Sequence, residues 1–444
     1  MVLDGADAPE PTFAGTALAQ TVPVGLGLLV LGLTAYGFLV VSARALGPRQ
    51  YGSLSALWAL VFLAGPGFFL PLEQEVGRSL AARRAVGEGD GSLLRRATVL
   101  GGLLGAVLVG VVLAFRSPLL DELFDHQALL LVGLLLALAG YFAEHLVRGS
   151  LAGTGRFGPY GVVLGAEGTL RLVGCGALAL AGVSTAGPYG VVLGGAPLLA
   201  AAAGLRRPRA VAAPGPPAAY RTLTASLGWL LAASLSAQLL VNAGPLAVKA
   251  LASDADQAVA GRFLAGLVLA RIPLFLFQAI QATSLPRLSE LDATGRHADL
   301  HAGLRRLVLV VVGIALVSVA GAATIGPRLL EVLFGAGFRL GHRDLVLLAG
   351  ANGAYLLALT LAQPLIALSS PARVAAGWMA GVGAFVVTTS MLNGLLVRVE
   401  AGFLLGSLAA AGTMGALLVP LLGDARLERA EEVVDVSRQV PPEP

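Results

Sequence analysis

The sequence is poor in charge, cysteine and aromatic side chains. Only 13% of its 444 residues are Asp, Glu, Lys or Arg, against roughly 25% in an average soluble chain. So little charge cannot cover the surface of a chain that is 56% apolar, with a mean hydropathy of +0.82. A set of soluble domains and an intrinsically disordered chain are both excluded; the solvent that such a composition requires is lipid. The single cysteine, Cys175, excludes an intramolecular disulfide and any multi-cysteine metal site. No Gly-x-Ser-x-Gly elbow, His-Glu-x-x-His pair or Walker loop is present. Nothing reads as catalytic, no cofactor is implied, and no nucleotide-binding segment drives work within this chain. The pI of about 9.6 does not indicate nucleic acid, because the formal net charge is only +4.

What the chain does contain is a series of apolar runs. Crossing a hydrocarbon core takes about 20 apolar residues in a helix. Twelve runs meet this length, near 22–43, 51–72, 97–115, 127–147, 159–181, 188–205, 223–248, 258–283, 307–325, 344–367, 374–397 and 402–422. The sixth is the weakest, with Gly190, Gly194, Gly195 and Pro197 inside it, residues that embedded helices tolerate. The 59 glycines suit helices that pack by close backbone approach. With twelve spans the loops alternate sides. One set of loops and tails holds 19 of the 30 Lys and Arg, the other set 8. The excess places both termini in the cytoplasm. Residues 1–21 carry Asp4, Asp7 and Glu10 and no basic residue, so they read as a cytoplasmic N-tail and not as a secretory signal. Spans 22–205 and 223–422 form two halves joined by a cytoplasmic linker at 206–222. The polar tail 423–444 is expected to be mostly disordered or a short surface helix.

The halves carry traces of a duplication. Leu94-Arg95-Arg96 and Leu119-Leu120-Asp121-Glu122-Leu123-Phe124 recur 210 residues later as Leu304-Arg305-Arg306 and Leu329-Leu330-Glu331-Val332-Leu333-Phe334. Arg156 and Arg373 follow corresponding spans at an offset of 217. Six spans per copy is an even number, so the copies are parallel repeats, a plan typical of transporters whose halves enclose a cavity and rock against each other.

Polar groups inside the runs are the candidate site. An ionisable side chain at membrane depth costs roughly 2.5–3.5 kcal/mol on insertion scales, and so normally faces a partner or a cavity. Arg171 lies mid-way along span five, one turn after Glu167, so the two can pair. Arg271 lies mid-way along span eight with no acidic residue at i±3 or i±4, so its counter-charge comes from another helix or a ligand. Arg262 sits nearer the outer end and is placed to snorkel. Glu144, His145 and Arg148 close span four, and Glu73 and Glu75 close span two. These read as interfacial charges, with ion coupling through Glu144, His145 and Glu167 as the other reading, since histidine titrates near neutrality. Ser234, Gln238 and Asn242 form an i, i+4, i+8 stripe on span seven. Gln278 and Gln281 extend it on span eight, and Asn352 and Gln363 share a face of span ten near Tyr355. Amides bond sugar hydroxyls and guanidinium forks match phosphate oxygens, so Arg271, Arg171, Gln238, Asn242, Gln278, Asn352 and Gln363 are the expected substrate contacts. Interhelical hydrogen bonding is the plainer role for the amides. His126, His297, His301 and His342 lie mostly in loops. His297 and His301, one turn apart, read as exposed residues and not as a metal pair.

Two loop segments are familiar. Ala43-Arg44-Ala45-Leu46-Gly47-Pro48-Arg49-Gln50-Tyr51-Gly52 joins spans one and two. Arg148-Gly149-Ser150-Leu151-Ala152-Gly153-Thr154-Gly155-Arg156-Phe157-Gly158 joins spans four and five. They resemble the "R-x-L-G-P-x-x-Y-G" and "R-G-x-x-x-G-x-G-R-F" segments of bacterial polysaccharide transporters, in the multidrug/oligosaccharidyl-lipid/polysaccharide (MOP) exporter superfamily. The resemblance implies an all-α, MATE-like integral membrane protein: twelve transmembrane helices in two pseudo-symmetric six-helix lobes set in a V. It implies alternating access in the bacterial cytoplasmic membrane. It also implies a lipid-linked oligosaccharide as cargo, with proton or sodium coupling. Partners would be the lipid-linked glycan, membrane lipids and the coupling ion, with no nucleic acid. Within the loops, Leu46-Gly47-Pro48 supplies a tight turn, and Arg148 and Arg156 read as positive-inside residues or as contacts for anionic lipid or a diphosphate. The chain departs from the drug-exporter branch in having only Thr34, Tyr36 and Ser42 as polar residues in span one. It also lacks the two extra C-terminal spans of the peptidoglycan-precursor branch. A multidrug antiporter on the same fold is the alternative, and a membrane-embedded glycan ligase or polymerase a more distant one, because the longest outer loop, 326–343, offers little reactive chemistry.

Overall fold

A computed structural model describes residues 13–89, 91–205, 220–253, 256–274, 297–368 and 370–439. Among them there are helices and turns and no strands. Eleven continuous helical stretches are long and apolar enough to cross a membrane. The first of these, residues 22–84, is two spans: Gly47 at φ 68° breaks helix α1 (Phe13–Ala64), a left-handed conformation that glycine adopts without penalty. The described residues therefore hold twelve candidate spans, as in a multi-pass membrane protein.

After a π-helical turn at Gly65–Phe69, the second span continues as α2 (Leu70–Ala85). Pro66 has no N–H to continue the regular ladder, which explains the widened turn. The first lobe is completed by α3 (Gly91–Ala114), a short α4 (Arg116–Pro118) with a π-turn at Leu119–Leu123, α5 (Ala128–Gly153), α6 (Phe157–Leu180) and α7 (Ala186–Leu205). The second lobe comprises α8 (Tyr220–Leu251), α9 (Gln257–Ala270), α10 (His297–Thr324), a short α11 (Gly326–Phe334), α12 (His342–Ala367), α13 (Pro371–Met391) and α14 (Leu395–Gln439).

Two boundaries differ from the sequence reading. The second span runs on as helix to Ala85, carrying Glu73 and Glu75 inside a helix and not in a loop. The last helix continues to Gln439, so the tail is helical and longer than a short surface helix.

The lobes pack by the means available without a hydrophobic force between helices. Helix α5 meets α7 through glycine: a Cβ on Gly194 would lie 1.9 Å from the Gly133 carbonyl oxygen. Helices α3 and α10 are the least covered, and Leu103, Val107, Leu316 and Val317 face outward at 60–73% exposure. Such surfaces are stable only against acyl chains. The lobes meet where α1 packs against α8 and α9 and where the π-turn touches α8. Ser234 of α8 donates to the Pro66 carbonyl at 2.8 Å across this seam.

Candidate functional site

Arg271 caps α9 at the seam between the lobes. Its Nη2 donates to the Val241 carbonyl of α8. The ionisable groups facing it are the phenols of Tyr355 on α12 and Tyr36 on α1. Those phenols are themselves tied back: Tyr36 donates to the Val268 carbonyl at 3.1 Å and Tyr355 to the Ala237 carbonyl at 3.4 Å. Among the described residues no carboxylate pairs with Arg271, and its buried Nε has no hydrogen-bond partner. A guanidinium in this state retains binding capacity, because burial without a counter-ion is costly.

The described amides lie on α8 and α12, the helices that carry Val241 and Tyr355. Asn242 Nδ2 donates to the Gln238 side-chain oxygen at 3.1 Å and to the Gln238 backbone oxygen at 3.0 Å. Asn352 donates to the Leu348 carbonyl at 2.9 Å and leaves its Oδ1 free. Gln363 donates to the Leu359 carbonyl at 3.4 Å and likewise leaves Oε1 free. Gln278 and Gln281 lie outside the described residues. Arg262 is held at the outer end, its Nε donating to the Gly337 carbonyl at 3.1 Å.

Arg171 stands elsewhere. It pairs with Glu167 at 3.4 Å inside the first lobe and stacks on Trp58 and Phe62, 5.5 and 5.9 Å from their ring centroids. Glu167 also accepts the Tyr141 hydroxyl at 3.1 Å. Arg171 is 1% exposed, its partners differ from the groups around Arg271, and its Nε and Nη1 have no hydrogen-bond partner.

The groups read as interfacial are instead buried, which corrects that expectation. Glu73 is the hub. His145 Nδ1 lies 2.6 Å from its Oε2, Arg148 Nη2 reaches it at 3.1–3.2 Å, and the Tyr160 hydroxyl donates to it at 2.7 Å. Arg148 also reaches Glu144 at 3.4 Å and lies over the Tyr160 ring at 5.2 Å. Tyr141 and Phe69 stack on the His145 ring. Glu144 is fully buried with its Oε2 unpartnered, and His145 Nε2 is unpartnered too. These side chains escape water because α2, as an extended second span, packs along α5 and brings Glu73 over His145. Arg148 is thus engaged within the protein by Glu73, Glu144 and Tyr160. Glu75, also buried, is satisfied locally by Arg78 at 2.6 Å and Ser79 at 2.8 Å.

Three features had no sequence signal. One is the Glu73 hub. Another is Glu400 of α14, fully buried with both carboxylate oxygens unpartnered. The third is an ion pair between Asp125 and Lys249 at 2.7 Å that crosses from one lobe to the other. Each depends on residues far apart in the chain.

No protein-family model matches the sequence. An uncharacterized protein of Mycobacterium tuberculosis is 29% identical over 408 residues, covering 87% of this chain and 89% of that protein. An uncharacterized protein of Mycobacterium bovis is 28% identical over 422 residues, covering 90% and 92%. The fold is similar to that of a multidrug resistance MATE family transporter of the MOP superfamily. Its inward-facing conformation matches at a TM-score of 0.68 and 14% identity, over 90% of this chain and 99% of that one. Its outward-facing conformation matches at 0.63 and 13%, over 93% and 96%. A MATE transporter of Vibrio cholerae matches at 0.62 and 16%, over 93% and 97%. The chain thus has the fold of these MATE transporters.

Proposed function

We propose that this protein is a transporter that flips a lipid-linked oligosaccharide, a polysaccharide precursor, across the bacterial cytoplasmic membrane by alternating access. In this reading residues 22–205 and 223–422 are the moving lobes, joined by the cytoplasmic linker 206–222. The carrying observation is Arg271: a guanidinium at the lobe seam, with free hydrogen-bonding capacity and no carboxylate partner among the described residues. Such a group suits a diphosphate. Asn242, Gln238, Asn352 and Gln363, with Gln278 by its place in the sequence, supply amides for sugar hydroxyls. Arg171 serves the first lobe's internal network and acts on cargo only through it.

A multidrug antiporter is the second reading, favoured by the fold likeness. A cationic drug, however, would meet Arg271 with like charge. The discriminating experiment is binding to purified protein. An isoprenoid-diphosphate-linked oligosaccharide should bind the wild type and bind Arg271→Ala about tenfold or more weakly. Tight binding of a lipophilic cation that Arg271→Ala leaves unchanged would select the drug reading.

Coupling is assigned to the first lobe's buried network. It sets three carboxyl groups, Glu73, Glu144 and Glu167, against two guanidiniums, Arg148 and Arg171, with His145 between. One surplus carboxyl group fits one proton. A proton neutralises that group without the shell of oxygen ligands a sodium ion needs, and the network's other carboxylates are already held by Arg148, His145, Tyr160, Tyr141 and Arg171.

A further inference from the structure

The duplicated landmark ending in Phe124 and Phe334 lies outside the proposed cargo contacts, and both copies sit at the low-arginine end of the bundle. Each is a short helical piece anchored by its buried phenylalanine. Each also touches the opposite lobe. We propose that the two copies form a reciprocal gate that closes the extracytoplasmic side, each locking onto the other lobe.

In the first copy, the turn after Phe124 holds Asp125 and His126 at φ 46° and 60°. This left-handed backbone is uncommon for residues other than glycine. It aims the Asp125 carboxylate across the seam. Oδ1 accepts from Lys249 Nζ at 2.7 Å, and Oδ2 accepts from the Ser53 hydroxyl. Lys249 also donates to the Gln257 side-chain oxygen, and its side chain is fully buried. It is the only lysine in the chain. In the second copy the direction reverses. Arg44, from the first lobe, donates Nε to the Leu333 carbonyl at 2.8 Å and Nη2 to the Val332 carbonyl. These are last-turn carbonyls of α11, the negative end of a helix dipole. Just beyond, Phe338 meets Tyr51 edge-on at 5.5 Å, and a Cβ on Gly337 would lie 3.1 Å from the Pro48 ring. Both locks must release before the lobes part on this side. Their polar partners become solvated once parted, so the closed and open states are two discrete arrangements and not a continuum.

This inference rests on the alternating-access reading but not on the identity of the cargo. The test uses full-length protein in intact cells, in a Cys175→Ala background with Ser55→Cys as reporter. Ser55 is fully buried on the seam helix, three residues after Gly52, whose own face abuts Gly261 of α9. A membrane-impermeant maleimide added outside should label the reporter slowly. Labelling should be about tenfold faster in Arg44→Ala and in Asp125→Ala as the population shifts outward. The charge-swapped Asp125→Lys/Lys249→Asp protein should label slowly again, which a general loss of folding would not produce. Unchanged rates in both single variants, or a swapped protein that labels as fast as Asp125→Ala, would overturn the gate. Labelling is measured without cargo. Responsive labelling with failed flipping therefore discards the cargo and keeps the gate, and the converse result discards the gate alone.

Discussion

At the scale of the residue, Arg271 and Arg171 differ in their partners: Arg271 meets a carbonyl and two phenols, Arg171 a carboxylate and two aromatic rings. Both interrupt apolar runs, and both were legible in the sequence for that reason. Glu167 one turn before Arg171 was equally legible, and the pair forms at 3.4 Å. What the sequence did not reveal is the stacking of Arg171 on Trp58 and Phe62. Replacing Arg271 by Lys keeps the charge but loses the fork, so cargo affinity should fall less than in Arg271→Ala and still measurably in a binding titration. Glu73 gives a stability prediction. Glu73→Ala leaves Arg148 and His145 buried, and Tyr160 part-buried, around a missing acceptor, a loss of about 3–5 kcal/mol for a broken buried pair. Thermal unfolding in detergent should register it as a clear drop in midpoint. Glu75→Ala, whose partner Arg78 is 62% exposed, should shift the midpoint little. The Glu73 hub was hidden from sequence reasoning because His145 and Tyr160 lie 72 and 87 residues away. Only the helical extension of α2 to Ala85 brings them together.

At the scale of the element, glycine and proline set where helices bend and how closely they approach. The Gly47-Pro48 break was legible as a turn between spans one and two, and it is where α1 kinks. The π-turn at Gly65–Phe69 was not, since its effect depends on Ser234 of the other lobe meeting the Pro66 carbonyl. Helix α7, the weakest span by composition, is well packed because its glycines face α5. Gly194→Val should therefore cost at least about 1–3 kcal/mol by overpacking. It should appear as lower yield and a lower melting midpoint, whereas Gly195→Ala, with open space around its Cβ, should be close to silent. The first lobe's network makes a prediction for coupling. Glu144→Gln removes the surplus ionisable carboxyl group, so transport in vesicles should lose its response to an imposed proton gradient while the protein stays folded. A sodium gradient should drive neither protein; sodium-driven transport would refute proton coupling here.

At the scale of the molecule, two halves meet along a seam that sets Arg271 beside two phenols and, at one end, holds the Asp125–Lys249 pair and the Arg44 contacts. Span count was read from hydropathy, halving from the duplicated landmarks and orientation from the arginine distribution. The fold agrees with the first two because lipid imposes so strict a length and polarity rule. The contacts at the low-arginine end were out of reach. Asp125 and Lys249 are 124 residues apart, and each alone looks like an ordinary loop charge. The account makes the seam, and Arg271 within it, the path of an anionic lipid-linked cargo. The most direct measurement is translocation of a fluorescent isoprenoid-diphosphate-linked oligosaccharide in proteoliposomes, scored by its access to an impermeant quencher. The account predicts flipping by the wild type, a fall of about tenfold or more in Arg271→Ala, and an intermediate rate in Arg271→Lys. Equal rates for wild type and Arg271→Ala, at matched protein density, would contradict it.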